Sequence, residues 1–146
     1  MEACRMGSGN SIGILVDTNI LLYVYDGLDP FWKIIDYFDY KPNFYVHKVT
    51  IMELNKLLEK YSGSILMQKK IRLALGYLEV NSQNWKEISQ PEGNYQVDDI
   101  LLDTASLYNL AIFTNDKNLK RKALSKGLKI IFLKGKGKII KSYFPI

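Results

Sequence analysis

Residues 13–23 read GILVDTNILLY, and this stretch indicates the class of fold. GILV is a short apolar run with β-branched residues, typical of a buried strand, and it ends at the acidic residue Asp17. Over the next eleven residues, TNILLYVYDGL (18–28), apolar side chains recur at the spacing of one helical face. The stretch therefore predicts a strand that passes directly into a helix, with a carboxylate at the junction.

The same alternation of strands and helices continues along the chain. FYVHKV (44–49) is strand-like and leads into a helix, in which Thr50 and Glu53 have the spacing of a capping box. The other predicted strands cover 110–115, 129–133 and an edge strand at 85–88, and the other predicted helices cover 30–40, 64–80, 97–109 and 116–127. This alternation favours an α/β fold, a three-layer α/β/α sandwich around a twisted parallel sheet of four to five strands.

Length and composition are those of one globular domain. The chain has 146 residues, of which 47% are apolar and 24% charged, enough to bury a core of two or three layers. We expect a loose polar leader over residues 1–11 and a single domain over residues 12–146. The single Cys4, the lack of a signal-peptide pattern and the lack of any apolar run near ~18 residues predict a cytoplasmic protein without a membrane segment.

Charge is divided unevenly along the chain. The net charge of +5 results from 20 basic and 15 acidic residues, but residues 117–146 contain 10 of the basic ones and no acid. The last thirty residues therefore carry +10, and residues 1–116 carry −5. An acidic body joined to a basic tail indicates a polyanionic partner.

Acidic residues occur at the predicted strand–helix junctions. Asp17 ends the first strand, Glu53 lies one turn into the next junction's helix, and Asp98 and Asp116 open two later helices. Single acids at such positions are also explained as helix caps or as partners of the helix dipole. Ligand sites of parallel sheets, however, lie beyond the carboxyl ends of the strands. Carboxylates gathered there repel one another unless a cation lies between them, and such oxygen ligands suit Mg²⁺ or Mn²⁺.

Helical phase separates the acids of the helix over 97–109. With Val97 as the reference and about 100° per residue, the apolar side chains, including Leu107 and Tyr108, cluster around the Val97 direction. Asp98 lies at the flank of this predicted buried face, whereas Asp99 points to the polar side, as does Asp103. Asp98 is therefore the better candidate ligand.

The helix that begins at Asp116 is strongly basic. Lys117, Lys120 and Arg121 lie in its first two turns, where a solvated charged face accounts for part of the pattern. Ten cations without one acid exceed what solubility requires. Cations that hold phosphates beside a carboxylate–metal centre are what a phosphodiester-cleaving site needs.

Four segments together resemble a known family. They are VDTNILLY (16–23), VTIMEL (49–54), VDDILLDTA (97–105) and IFTNDKNLKRK (112–122). In this order and spacing, from about Gly13 to Ile140, they resemble the PIN-domain nucleases, in particular archaeal proteins related to VapC toxins and nucleases of small-subunit rRNA processing. The resemblance implies a Mg²⁺- or Mn²⁺-dependent endoribonuclease with an α/β/α sandwich, commonly a homodimer.

The resemblance also implies roles for individual residues. The positions that match the family's catalytic and metal-binding acids are Asp17, Glu53, Asp98 and Asp116. The positions expected to support the metal site are Asn19, Thr114 and the neighbouring acid Asp99. The side chains expected to hold the RNA backbone are those of Lys117, Lys120 and Arg121.

Several alternatives stay open at the level of sequence. A toxin would pair with a cognate antitoxin, and a processing nuclease would associate with pre-ribosomal particles. A non-catalytic RNA-binding PIN scaffold is an alternative of a different class. Phosphorelay receivers and haloacid-dehalogenase-type phosphatases also place acids at strand ends, but Asp17 lacks the acidic partner of the first and Asn19 replaces the second aspartate of the other.

Overall fold

The computed structural model describes residues 12–89, 96–135 and 139–143. The leader predicted over residues 1–11 lies outside the described residues, as does part of the KGKGK run at 134–138. Within the described part, no helix is long and apolar enough to cross a membrane.

Six strands and six α-helices alternate through the described residues. The strands are β1 Gly13–Val16, β2 Asn43–His47, β3 Trp85–Ile88, β4 Leu110–Phe113, β5 Ile130–Lys134 and β6 Ile139–Tyr143. The helices are α1 Thr18–Leu22, α2 Pro30–Phe38, α3 Lys48–Lys60, α4 Ile65–Val80, α5 Val97–Tyr108 and α6 Lys117–Ser125. The predicted α/β class is confirmed, with six strands in the sheet where four to five were expected.

The sheet has the strand order β3-β2-β1-β4-β5-β6. The first five strands in this order are parallel, and β6 runs antiparallel to β5. The chain builds outward from β1 in one direction through β2 and β3, and in the other through β4 and β5. The order therefore reverses between β1 and β4, and the carboxyl ends of these two strands form the switch point where such sheets bind ligands.

The sixth strand is absent from the sequence prediction. It pairs with β5 from Lys134 opposite Ile139 to Ile130 opposite Tyr143. Only Ile140 of its side chains is buried, because β6 lies at the edge of the sheet. Such a strand lacks the continuous apolar run that marks the central strands, so its sequence does not stand out from the basic tail.

The apolar core lies on both faces of the sheet. In β1, Ile14 and Val16 pack into the cluster beneath α1–α4, whereas Leu15 packs into the cluster beneath α5 and α6. All three side chains are fully buried. Burial of an aliphatic side chain of this size contributes roughly 1.5–3 kcal/mol, so β1 anchors both layers and fixes the position of Asp17.

The first helix is shorter than predicted. Instead of one helix over 18–28, α1 ends at Leu22 and a 3₁₀ turn follows over Tyr23–Asp26. The turn ends at Gly27, whose φ of 87° lies in the left-handed region that glycine adopts without strain. The apolar periodicity thus continues through a tighter turn that the spacing alone does not distinguish from a helix.

The predicted capping box at Thr50 and Glu53 is wrong. Helix α3 begins two residues earlier, at Lys48, and its cap is His47, whose Nδ1 accepts a hydrogen bond from the backbone N–H of Val49 at 3.0 Å. Thr50 therefore lies inside the first turn, where it is buried. Because His47 supplies the cap, Glu53 is not needed for capping. It lies in the second turn of α3.

Candidate active site at the carboxyl edge of the sheet

Asp17 occupies the centre of the switch point. It follows β1 directly and is only 7% exposed. Its Oδ1 accepts a hydrogen bond from the backbone N–H of Thr18 (2.8 Å), and its Oδ2 accepts one from the hydroxyl of Thr114 (2.7 Å). The pairing of Val16 with Phe113 explains this contact, because it brings the residues that follow β1 and β4 side by side.

A polar network joins the two strand–helix junctions that contain Asp17 and Asp116. The side-chain amide of Asn19 donates to Asp17 Oδ2 (3.1 Å) and to Thr114 Oγ1 (3.2 Å). The same threonine oxygen accepts the backbone N–H of Asp116 at 3.1 Å, and Asn19 Oδ1 accepts the backbone N–H of Asn115 at 3.1 Å. These bonds fix Asp17 and the start of the α6 segment relative to each other.

Burial makes the ionised form of Asp17 costly. The pKa of Asp17 is raised from 3.8 to about 6, mainly by desolvation and to a smaller extent by the charges of Glu53 and Asp98. Hydrogen bonds from Thr114 and Thr18 oppose the rise. A carboxylate with this pKa is largely ionised at pH 7, in an environment that a cation would stabilise.

Glu53 reaches the same site from α3. The buried hydroxyl of Thr18 donates a short hydrogen bond, 2.5 Å, to Glu53 Oε1. Thr18 thus contacts Asp17 through its backbone and Glu53 through its side chain. Thr18 therefore positions both acids, although it was not among the site residues predicted from the sequence.

Asp98 and Asp99 have different environments on α5. Asp98 lies in the site with its side chain 32% exposed, and the ammonium of Lys122 is 3.8 Å from Asp98 Oδ2. Asp99 is exposed and does not line the cleft. The placement of these two acids agrees with the helical phase, although Leu107 and Tyr108, expected on the buried face, are exposed. The buried face of α5 centres near Leu101 and Leu102. Val97, the reference residue of the prediction, is only half-buried and lies at the margin of that face.

Asp116 is both a helix cap and a wall of the cleft. Its Oδ1 accepts the backbone N–H groups of Asn118 (2.8 Å) and Leu119 (3.1 Å) at the start of α6. The residue is exposed and also lines the cleft that contains Asp17. The capping and the functional interpretations of this residue are therefore compatible.

The four acids line one open cleft of about 190 Å³. Its lining residues are Asp17, Thr18, Asn19, Leu22, Glu53, Leu57, Val97, Asp98 and Asp116. Among the described residues, no three acidic, histidine or cysteine side chains form a complete metal-ligand set by themselves. Mg²⁺ commonly keeps several waters and takes only one or two carboxylates. The buried, negatively charged Asp17 and its acidic neighbours fit an ion of this kind.

The three basic residues predicted to hold RNA lie on α6, outside the lining of the cleft. Lys117 and Arg121 are exposed, and Lys117 follows the cleft residue Asp116 directly. Lys120 is half-buried, with its ammonium 4.2 Å from the centroid of the Phe132 ring. Their role as RNA contacts stays a prediction.

Asn115 links the site to the neighbouring strand. Its Oδ1 accepts the backbone N–H of Leu133 in β5 at 2.7 Å, and its Nδ2 donates to the hydroxyl of Tyr23 at 3.2 Å. Asn115 was not among the predicted site residues, because its β5 partner lies eighteen residues further along the chain. In the sequence, only its place in the segment TND (114–116) pointed to Asn115.

Asn115→Ala should destabilise the protein by about 1–3 kcal/mol, because the backbone N–H of Leu133 would lose its acceptor in a partly buried position. The matched control is Asn118→Ala, since the Asn118 side chain is exposed on the next turn and surface changes usually stay within about 0.5 kcal/mol. Urea unfolding of the two variants beside the unsubstituted protein measures the difference. Equal stability of both variants would contradict the bridging role of Asn115.

Fold and site together define an α/β/α protein with an acidic cleft at the switch point of its sheet. Residues 14–136 match the family model described as a PIN like domain. The chain is also 32% identical over 138 residues to Ribonuclease VapC9 of Archaeoglobus fulgidus, and the match covers 92% of both chains. The chain therefore belongs to the PIN-like domain family.

Solved structures agree on the fold. The PIN domain endonuclease Utp24 has a TM-score of 0.70 and 21% identity, over 92% of each chain. A domain of a functionally unknown protein from Methanocaldococcus jannaschii has a TM-score of 0.62 and 18% identity, over 86% of this chain and 93% of that one. The PIN fold expected from the sequence is confirmed.

Proposed function

We propose that this protein is a metal-dependent endoribonuclease that hydrolyses RNA phosphodiester bonds in the acidic cleft. The observation that carries the proposal is the position of Asp17, a buried carboxylate of raised pKa that shares one cleft with Glu53, Asp98 and Asp116. A relative with the name Ribonuclease VapC9 and family membership support RNA cleavage as the reaction.

The donor set suits Mg²⁺ or Mn²⁺, which prefer carboxylate and water oxygens. Asp17 would hold the ion directly, and Asp98, Asp116 and Glu53 are the further candidate ligands, in part through bound water molecules. When bound, such an ion supplies activation of a water molecule and neutralisation of the charge that develops on the phosphate and the leaving oxygen.

The residues around the acids prepare them for this task. Thr114 and Asn19 hold Asp17 Oδ2, so the carboxylate keeps one orientation without rearrangement during the reaction. Thr18 does the same for Glu53. Asp99 lies outside this network and stays a candidate supporting acid beside Asp98. Orientation fixed before substrate binding removes a cost that would otherwise raise the barrier.

RNA is the partner that the proposal requires, held at its backbone by Lys117, Lys120 and Arg121 beside the cleft. If the protein is a toxin, its further partner is a cognate antitoxin. If it is a processing enzyme, its further partners are pre-ribosomal particles. A homodimer also stays a prediction. The reading frame beside the gene distinguishes the first two roles, because a toxin should be encoded next to a small antitoxin.

Cleavage of labelled single-stranded RNA by the purified protein tests the proposal. We expect cleavage with Mn²⁺ or Mg²⁺ and none with excess EDTA, because the carboxylates need the cation to activate water. A scaffold would instead bind RNA in a salt-dependent way without cleaving it under either condition. Asp17→Asn protein purified in the same way controls for contaminating ribonucleases. Cleavage in EDTA that the unsubstituted protein shows and Asp17→Asn lacks would contradict the metal dependence, and absence of cleavage with Mn²⁺ or Mg²⁺ would contradict the nuclease proposal.

A further inference from the structure

A group of lysines lies beside the acidic cleft, on α6 and the two outer strands. We call Lys117, Lys120, Lys134 and Lys141, together with Tyr143, the lysine patch. Lys117 and Lys120 belong to α6, Lys134 ends β5, and Lys141 and Tyr143 lie on β6. The last three of these residues were not among the RNA contacts predicted from the sequence.

Lys134 lies at the same edge of the sheet as the acids. Strand β4 pairs with β5 in parallel, with Phe113 opposite Ile131, so the carboxyl ends of both strands lie at the same edge of the sheet, and Lys134 is the last residue of β5. The hydrogen bond from the backbone N–H of Leu133 to Asn115 Oδ1 supports this alignment. The lysine patch therefore begins next to the cleft, one strand further out.

Three lysines of the patch, Lys117, Lys120 and Lys134, lie close enough to repel one another. The ammonium groups of Lys120 and Lys134 lie 4.2 Å and 6.0 Å from the centroid of the Phe132 ring. Burial, followed by the charges of Lys117 and Lys134, lowers the pKa of Lys120. None of the four lysines pairs with a carboxylate in the described part of the chain, where the ion pair of α6 is that of Lys122 with Asp98. An anion bound here would relieve the repulsion.

Strand β6 extends the patch away from the cleft and adds an aromatic surface. Lys141 is opposite Phe132, and Tyr143 is opposite Ile130, so both side chains share the face of the sheet that α6 covers in part. Tyr143 is 52% exposed, and the centroid of its ring is 5.2 Å from that of Phe132. From Ile139 to Tyr143 the strand spans about 13 Å, enough for more than one nucleotide.

We propose that Lys134, Lys141 and Tyr143 continue the RNA contacts of Lys117 and Lys120 outward, so that the lysine patch holds the single-stranded part of the substrate that extends beyond the cleft. This inference rests on the proposed ribonuclease function. The lysines contact backbone phosphates, and the exposed face of Tyr143 stacks on a base. Alternation of cations with an exposed aromatic ring suits single strands, because only an unpaired base offers its face to the ring.

Binding of single-stranded RNA in EDTA tests the patch separately from catalysis. Fluorescence anisotropy with oligonucleotides of about 4 and about 12 nucleotides compares a strand too short to contact the cleft and the whole patch at once with one that extends over both. Lys134→Gln/Lys141→Gln should weaken binding of the long strand about tenfold and leave the short one unchanged. The slope of log K against log salt should fall by roughly 0.7 for each lost phosphate contact.

The matched control is Lys69→Gln/Lys86→Gln, which removes the same charge from exposed positions on α4 and β3. Tyr143→Leu keeps an apolar side chain against Phe132 but cannot stack, and it should weaken binding of the long single strand at least fivefold. Duplex RNA should bind this variant and the unsubstituted protein equally.

Two outcomes would overturn the inference: unchanged binding of the long strand by Lys134→Gln/Lys141→Gln, or an equal loss in the control variant. Circular dichroism melting confirms that each variant is folded before its affinity is compared. Failure of the ribonuclease proposal is a separate result, because it appears as absence of cleavage with Mn²⁺, whereas the patch is measured by binding in chelator.

Discussion

Asp17→Asn should reduce the rate of RNA cleavage by about a hundred- to a thousandfold while the protein remains folded, the scale seen when one charge-stabilising group is removed from an active site. Asparagine has the shape of aspartate but no charge, so it cannot hold a divalent cation as the ionised carboxylate does. The measurement is the single-turnover rate on labelled RNA with saturating Mn²⁺.

Stability separates this loss of activity from unfolding. The amide nitrogen of the new asparagine cannot accept a hydrogen bond, yet it would lie beside a donor, either the Thr114 hydroxyl or the Thr18 N–H. The protein would therefore lose one hydrogen bond, worth about 1 kcal/mol. Removal of the buried charge offsets that loss at pH 8. Asp103→Asn, an exposed acid on α5, is the control and should keep cleavage within about twofold of the original rate. Full activity of Asp17→Asn would remove Asp17 from the site.

Stability should also depend on pH through Asp17. The pKa of this carboxyl is raised to about 6 in the folded protein from 3.8, so folding favours its protonated form. The resulting stabilisation is fully present below about pH 3.8 and is lost as the pH rises through about 6. The size of the effect is about 3 kcal/mol. Between pH 4 and pH 8, the free energy of unfolding of the metal-free protein should therefore fall by about 3 kcal/mol relative to that of Asp17→Asn.

Mn²⁺ should reverse the loss at high pH. A cation competes with the proton for Asp17, so it should raise the melting temperature more at pH 8 than at pH 5. At pH 8 and saturating Mn²⁺, a stabilisation of about 3 kcal/mol corresponds to roughly 5–10 °C for a chain of this length. Thermal melts at both pH values, with Mn²⁺ and with EDTA, measure it. An equal shift in Asp17→Asn would show that the metal binds elsewhere.

The central architecture and the four acids could be predicted from the sequence because their signals are local. Buried strands such as β1 are continuous apolar runs, and an acid directly after such a run must lie at the strand's carboxyl end. Helical phase also separated Asp98 from Asp99, because neighbouring residues of a helix point about 100° apart. These inferences need no knowledge of which strands pair.

The missed features depend on contacts between distant parts of the chain. The hydrogen bond of Thr18 with Glu53 and the bridge from Asn115 to β5 exist only once strands pair in their register. The error at Thr50 had another cause. Its spacing to Glu53 matches a capping box, but the hydrogen bond that His47 makes starts the helix earlier, and a histidine is a less common cap than threonine.

Anomalous diffraction from crystals grown with Mn²⁺ tests the central claim most directly, because it locates the metal without reference to activity. We predict an anomalous peak in the acidic cleft, in direct contact with a carboxylate oxygen of Asp17 and with at least one of Asp98 and Asp116. The peak should be absent from crystals of Asp17→Asn grown in the same way. A cleft without manganese in protein that cleaves RNA under the same conditions would contradict the account.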